Sequence, residues 1–97
     1  MPIFVMRGLD GPEGLGRRPA VRPVHLEHLR GLERLEKIKF AGPIFADDGE
    51  TPIGSVVIFE SDDLATARSL CARDPYVLEG VFAEWDVNPA TQVFPER

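Results

Sequence analysis

Hydrophobic residues along this chain form short strand-like runs separated by segments of different periodicity. Four runs are dense in β-branched and aromatic residues, or alternate between apolar and polar positions, and such runs are typical of β-strands. They cover residues 2–6, 38–46, 53–60 and 81–88. Gly42 and Pro43 interrupt the second run, which predicts a strand that bends or lies at the edge of a sheet.

Two segments between these runs have helical periodicity. The first predicts a helix from Arg22 to Ile38, because leucines recur three residues apart and Pro23 is tolerated in a first turn. Its leucines are Leu26, Leu29, Leu32 and Leu35. The second predicted helix starts after Ser61, Asp62 and Asp63, since capping and acidic side chains favour a helix N-terminus. Its buried stripe consists of Leu64, Ala67, Leu70 and Cys71, and Pro75 ends it.

The segment from Arg7 to Val21 contains four glycines and two prolines. This composition predicts a long mobile loop beside the first strand, and a loop of that kind could cap a binding pocket.

The order of predicted elements is strand, helix, strand, strand, helix, strand. A chain of 97 residues is the size of one domain, so we expect a single α+β domain over residues 1–97 with ferredoxin-like, split βαβ topology. In this fold both helices cover one face of the sheet. We assign Phe4, Met6, Val57 and Phe59 to the other face. An exposed apolar patch of this size predicts a homodimer through the open sheet face, unless the loop or the tail covers it.

Composition and charge exclude several classes of function. Sixteen acidic and eleven basic residues give a net charge of −5, which disfavours binding to nucleic acids and anionic membranes. A cluster of arginines predicts a mostly solvated helix face, and its members are Arg17, Arg18, Arg22, Arg30 and Arg34. The lone Cys71 suits a reducing compartment, and no apolar run is long enough to span a membrane. We therefore expect a cytoplasmic protein.

His25 and Asp74 are the best candidates for chemistry. His25 lies on the same helical face as Leu29 and Leu32 when residues are placed about 100° apart. In the predicted topology the end of the second helix could bring Asp74 to it, and a carboxylate on one ring nitrogen makes the other a general base. Two plainer interpretations stay open: a structural histidine bonded to backbone, and an aspartate that only caps the turn beginning at Pro75.

Other chemistry has little basis in the sequence. His25 and His28 lack a clear third ligand, so we predict no metal site. The chain has no nucleophile-elbow, dinucleotide-binding or phosphate-loop motif.

Four short motifs resemble the YCII (YciI-like) family in their order and spacing. They are RPVHLEHL at 22–29, AGP at 41–43, GS at 54–55 and DPYVLEGV at 74–81. The resemblance implies a dimeric α+β barrel of ferredoxin-like halves, with a histidine and an aspartate in an active site that correspond to His25 and Asp74. It also implies pocket walls at Gly42, Pro43, Gly54, Ser55 and Tyr76. Members of the family are similar in fold to muconolactone isomerases and dehydrochlorinase-type lyases, which implies a small, ring-like substrate.

These observations give two hypotheses about function. In the first, His25 transfers a proton during elimination or isomerisation of a small oxygenated, including aromatic, substrate, and Asp74 orients it. Ser55 or Arg22 would hold a substrate oxygen, and the scheme requires no cofactor. In the second, the same pocket binds a small-molecule ligand without catalysis, or the dimer serves as an accessory module.

Overall fold

The computed structural model describes residues 2–96, which form four strands and three helices. In chain order they are β1 (Ile3–Asp10), α1 (Gly14–Arg34), β2 (Ile38–Phe45), β3 (Pro52–Glu60), α2 (Leu64–Ala72), α3 (Pro75–Leu78) and β4 (Phe82–Ala90). The strands make one antiparallel sheet in the order β2-β3-β1-β4. This order places the two central strands between two edge strands, so the ferredoxin-like α+β prediction is confirmed.

The core lies between the sheet and the helices. On the central strands Phe4 pairs with Phe59 and Met6 with Val57, and all four side chains are buried. They pack with residues of the helices, of β4 and of the connection before β4, which are Ala67, Cys71, Tyr76, Val81, Phe82 and Val87. The assignment of these four strand residues to the uncovered face was therefore wrong. Strand alternation shows that two sets of side chains oppose each other, but it does not show which set the helices cover.

The open face of the sheet carries the opposite set of side chains. Val5 pairs with Ile58 and Arg7 with Val56, and the three apolar residues of these pairs are half-buried. The end of the chain also borders this face, at a cavity of about 330 Å³ that Ile3, Val5 and Ile58 line. The residues of the tail that line it are Thr91, Gln92, Phe94 and Pro95. The described part of the chain thus leaves an apolar surface here that its own tail only partly borders.

Helix α1 begins well before the predicted start at Arg22 and ends four residues before the predicted end at Ile38. The predicted loop over residues 7–21 was wrong, because β1 continues to Asp10 and the helix already begins at Gly14. Pro19 and Pro23 lie inside the helix on its exposed side. There the carbonyl groups that lose their intrahelical donors can bond to water, which makes the two prolines tolerable.

Gly14 lets the helix begin directly above the end of β1. A side chain at this position would collide with the carbonyl oxygen of Val81 and with Cβ of Asp10. The absence of a Cβ therefore brings the first turn of α1 against the end of β1 and the start of β4.

The remaining elements follow the sequence closely. β2 is an edge strand, as Gly42 and Pro43 predicted. Its register has two irregularities near its ends, between Ile38 and Phe40 and between Ile44 and Phe45. The cap of α2 is Asp63, whose side chain accepts a hydrogen bond of 2.7 Å from the backbone N–H of Thr66. Within residues 2–96, none of the helices combines the length and apolar character that crossing a membrane requires.

Candidate functional site

A cavity of about 220 Å³ lies between α1, the edge strand β2, the central strand β3 and the short helix α3. It combines polar and apolar walls. The polar side chains are Arg18, Arg22, His25, Ser55 and Tyr76, and the other lining residues are Leu26, Leu29, Ala41, Gly42, Pro43 and Val57. A small space of mixed polarity is typical of a site for a small organic molecule.

His25 projects from the buried stripe of α1 into the wall of this cavity. The residue is 6% exposed, and its Nδ1 lies 2.7 Å from Oδ1 of Asp74, which is 2% exposed. Asp74 stands in the short connection between α2 and α3. The two side chains that the topology suggested could meet are therefore in direct contact.

Asp74 also caps α3, as the plainer interpretation proposed. The oxygen that contacts His25 accepts a hydrogen bond of 2.9 Å from the backbone N–H of Tyr76, and Pro75 occupies the first helical position. Asp74 therefore does not only cap α3, because the same carboxylate also contacts His25. The cap fixes the carboxylate, and the fixed carboxylate in turn holds the imidazole.

This arrangement determines the direction of the hydrogen bond. Because a carboxylate can only accept hydrogen bonds, Nδ1 of His25 is the donor in its contact with Asp74. The other ring nitrogen, Nε2, has no hydrogen-bond partner among residues 2–96. His25 also lines the cavity. The arrangement leaves Nε2 available to exchange a proton with a bound molecule.

The ring of Tyr76 stacks on one face of the His25 imidazole. The rings of His25 and Tyr76 are parallel within 4°, with centroids 3.7 Å apart, and Phe82 meets the tyrosine ring edge-on at 5.6 Å. Burial raises the pKa of Tyr76, against the opposing positive charges of Arg18 and Arg22. The phenol is therefore neutral at physiological pH and can donate a hydrogen bond.

Arg18 is a site residue that the sequence analysis missed. Its Nε and Nη2 donate to the two carboxylate oxygens of Asp10 at 2.7 and 2.8 Å, and Nη2 also donates to the carbonyl of Gly54 at 3.0 Å. Its guanidinium carbon lies 5.0 Å from the centre of the Tyr76 ring. Arg18 is only 8% exposed, so the prediction of a solvated arginine face is wrong at this position.

A signal for Arg18 was present in the sequence. Arg18, His25 and Leu32 are buried residues of α1 at intervals of seven, which places them on one face of a helix. Extending the stripe of His25 backwards by two turns reaches Arg18. The prediction of a loop over that segment hid this relation.

The other predicted pocket residues fall into two groups. Arg22, Gly42, Pro43, Ser55 and Tyr76 line the cavity. Gly54 does not line it. A side chain on Gly54 would collide with the backbone oxygen of Gly8, so this glycine allows β1 and β3 to approach closely and offers its carbonyl to Arg18.

Two further polar residues border the region. His28 lies one turn after His25, and burial lowers its pKa. Cys71 is free and buried, and burial raises the pKa of its thiol to about 12, so it behaves as an apolar core residue. Within the described ranges, no three His, Cys, Asp or Glu side chains come together as metal ligands.

Comparisons of sequence give a consistent family. The family model of the YCII-related domain matches residues 3–91. An uncharacterised protein of Haemophilus influenzae is 38% identical over 96 residues, which is 94% of this chain and 98% of that protein. Protein YciI of Escherichia coli O6:H1 is 35% identical over 97 residues, which is 95% of this chain and 99% of that protein.

Solved structures share the fold. A 5-chloro-2-hydroxyhydroquinone dehydrochlorinase, TftG from Burkholderia phenoliruptrix, is 28% identical with a TM-score of 0.76, and the match covers 89% of this chain and 90% of that one. That enzyme was solved in complex with 2,5-dihydroxybenzoquinone. An antibiotic biosynthesis monooxygenase, 17% identical with a TM-score of 0.57 over 96% of this chain and 99% of that one, is similar in fold.

Proposed function

Because this chain belongs to the YCII-related domain family, we propose that it is a small-molecule enzyme in which His25 and Asp74 move a proton. The observation that carries this proposal is the hydrogen bond of 2.7 Å between Nδ1 of His25 and Oδ1 of Asp74, at the wall of a cavity of about 220 Å³. The similarity to a dehydrochlorinase solved with a hydroxylated quinone supports a small oxygenated, ring-like substrate.

The proposed reaction is an elimination or an isomerisation next to a carbonyl group. Neutral His25 accepts a proton from carbon at Nε2, and the C–H bonding pair moves into an enolate. Asp74 stabilises the imidazolium through Nδ1–H, as a carboxylate partner does for a general base. In an elimination a leaving group then departs with its bonding pair, and in an isomerisation His25 returns the proton to a different carbon.

Arg22 and Ser55 are the proposed partners of the substrate oxygen. Both line the cavity with His25, and both offer hydrogen-bond donors that can stabilise the negative charge of an enolate. Gly42, Pro43 and Tyr76 form further walls of the same space. Our proposal requires no cofactor for this proton transfer.

The proposed reaction can be tested by replacing His25. We expect the wild-type protein to exchange an acidic C–H of a small cyclic carbonyl compound for deuterium in D₂O, as followed by NMR. His25→Gln should lower the rate by a factor of about a hundred or more, because general-base catalysis contributes that much.

His28→Gln is the matched control, since His28 lies on the same helix but does not line the cavity. It should retain wild-type rates. Full activity in His25→Gln would remove the proton-transfer role. Ligand binding without turnover by the wild-type protein would contradict the enzyme and favour the alternative, a non-catalytic binding or accessory module.

We also propose that two chains associate through the open sheet face. The half-buried Val5, Val56 and Ile58 leave an apolar surface there, which a second sheet would remove from water. Sedimentation analysis should give the mass of a dimer, and Val56→Glu with Ile58→Lys should shift it to a monomer. A wild-type monomer at micromolar concentration would contradict this assembly.

A further inference from the structure

The polar groups that face the cavity are mostly hydrogen-bond donors. None of the described residues that line it is an aspartate or a glutamate. The two nearby carboxylates already have partners, since Asp74 accepts from His25 and Asp10 accepts from Arg18. Within residues 2–96, Arg22 forms no ion pair, so its charge is not compensated by a side chain. The cavity is therefore lined mainly by hydrogen-bond donors and positive charge, although the chain as a whole has a net charge of −5.

Arg18 controls the direction in which the hydroxyl group of Ser55 points. Nη2 of Arg18 lies 3.4 Å from Oγ of Ser55, which is longer than its bonds to Asp10 and Gly54. A guanidinium has no acceptor, so at this distance its positive charge attracts the oxygen of the hydroxyl group and repels its hydrogen. The hydrogen of Ser55 therefore points away from Arg18, and both residues line the cavity.

Burial stabilises this orientation of the Ser55 hydroxyl group. Arg18 is 8% exposed and Ser55 is 4% exposed, so water does not screen the charge from the hydroxyl group. The two hydrogen bonds to Asp10 fix the guanidinium in place. Burial alone would lower the pKa of Arg18, but the hydrogen bond and charge of Asp10 outweigh it and raise this pKa overall, so Arg18 stays charged.

We propose that the Ser55 hydroxyl group, oriented by the buried Arg18–Asp10 pair, and the guanidinium of Arg22 select ligands that carry an oxyanion on a small ring. Suitable oxyanions are a carboxylate, a phenolate or the enolate form of a cyclic diketone. This inference rests on the proposed function in taking the cavity as the substrate site, and it adds the charge that the substrate carries before it reacts.

The size of the cavity limits the ligand to about one ring. An apolar cavity of about 150 Å³ accommodates benzene. The cavity of about 220 Å³ therefore leaves room for a six-membered ring with one or two oxygen substituents. Leu26, Leu29 and Val57 provide the apolar surface for the ring.

The experiment compares a charged and a neutral ligand of the same shape. Benzoate and benzamide are titrated into the full-length protein at neutral pH, and binding is measured by calorimetry and by NMR shifts. We expect the wild-type protein to bind benzoate at least about tenfold more tightly than benzamide, because hydrogen bonds to a charged acceptor are worth that much. Equal affinities, a preference for benzamide, or no binding of benzoate at millimolar concentrations would overturn the inference.

Three variants assign the preference to residues. Ser55→Ala and Arg22→Gln should each reduce the ratio of the two affinities by a factor of about three or more. Arg18→Lys keeps a positive charge but cannot make the forked contact with Asp10, so it should reduce the ratio in the same way if it folds. An unchanged ratio in Ser55→Ala would overturn the role of this hydroxyl group, whether or not Arg18→Lys folds.

Arg30→Gln is the matched control. Arg30 lies on the same helix as Arg22, pairs with Glu27 at 3.6 Å and does not line the cavity, so its loss should leave the ratio unchanged. His25→Gln separates this inference from the proposed function. If that variant keeps the preference for benzoate and loses turnover, both stand. A preference without any dependence of turnover on His25 removes only the proton-transfer proposal, and turnover without the preference removes only the present inference.

Discussion

Two buried pairs, each of one basic and one acidic residue, border the same cavity. They differ in the chemistry of the basic residue. His25 with Asp74 joins α1 to the start of α3, and its imidazole has a second ring nitrogen that can accept a proton. Arg18 with Asp10 joins α1 to β1, and its guanidinium stays charged. One helix therefore supplies both the residue that we propose moves a proton and a permanent positive charge.

The comparison shows that burial alone does not identify what a buried basic residue does. The two pairs have the same shortest distance, 2.7 Å, and side chains that are all less than 10% exposed. What separates them is the chemistry of the basic residue and the number of contacts that it makes. Among residues 2–96, Arg18 has three hydrogen-bond partners, whereas the imidazole of His25 has one and leaves Nε2 without a hydrogen bond.

The largest effect is expected from removing the permanent charge. Arg18→Met should lower the free energy of unfolding by about 3 kcal/mol, because it leaves the carboxylate of Asp10 buried without a partner. Arg17→Met is the control, since the side chains of the neighbouring pair between Arg17 and Glu13 are 49% and 73% exposed. It should cost less than about 1 kcal/mol in urea denaturation. Equal losses in the two variants would show that the Arg18 pair behaves as a surface pair.

A second test separates the two functions of Asp74. Asp74→Ala removes the cap of α3 and leaves Nδ1–H of the buried His25 without its partner, so it should lower the free energy of unfolding by about 2 kcal/mol or more. Asp74→Asn can still accept from the N–H of Tyr76, so most of this stability should remain. The same amide oxygen would still accept from Nδ1–H of His25, but the amide has no negative charge to stabilise the imidazolium that proton transfer forms.

Under the proposed function, Asp74→Asn should therefore reduce turnover about a hundredfold while its unfolding curve stays close to that of the wild type. Denaturation and rate measurements on the same samples check this. If stability and turnover fell together in both variants, Asp74 would be a cap and nothing more.

The smallest effect concerns His28, which lies beside the first pair without joining it. Burial, helped by the positive charges of His25 and Arg73, lowers its pKa below the ordinary 6.5, and the charge of Asp74 opposes this only in part. The unfolded chain then binds the proton more readily than the folded one. Stability should fall as the pH drops below about 6.5, through the interval down to the lowered pKa of the folded state.

His28→Gln should remove part of that loss. The measurement is the free energy of unfolding of the two proteins on either side of pH 6.5, and the difference between them isolates the contribution of His28. A steeper dependence on pH in the variant would show that His28 gains a proton on folding rather than losing one.

Much of the fold could be predicted because its signals are local. The dense apolar run that becomes β3 and the Gly42–Pro43 interruption of β2 each report a strand environment that their own residues determine. The extent of α1 could not be predicted in the same way. Pro19 and Pro23 are strong local signals against a helix, and they are tolerated only because their side of α1 faces water.

The residues of the candidate site divide in the same way into those that sequence signals predicted and those that depend on a close contact between elements. The leucine stripe placed His25 towards the core, and the topology brought Asp74 within reach of it. Arg18 and Asp10 escaped detection because their partnership depends on how closely the start of α1 approaches β1, which Gly14 allows. A glycine in a loop and a glycine at a close helix contact look alike in one sequence.

Tyr76 has one more consequence for work on this protein. It is the single tyrosine of the chain, it stacks on His25, and it lies beneath the charge of Arg18. The ultraviolet absorption of its phenol therefore reports on both sides of the cavity at once. A molecule that binds in the cavity changes this absorption, and a difference spectrum detects the change without a label. Compounds can therefore be screened for binding before a substrate is known.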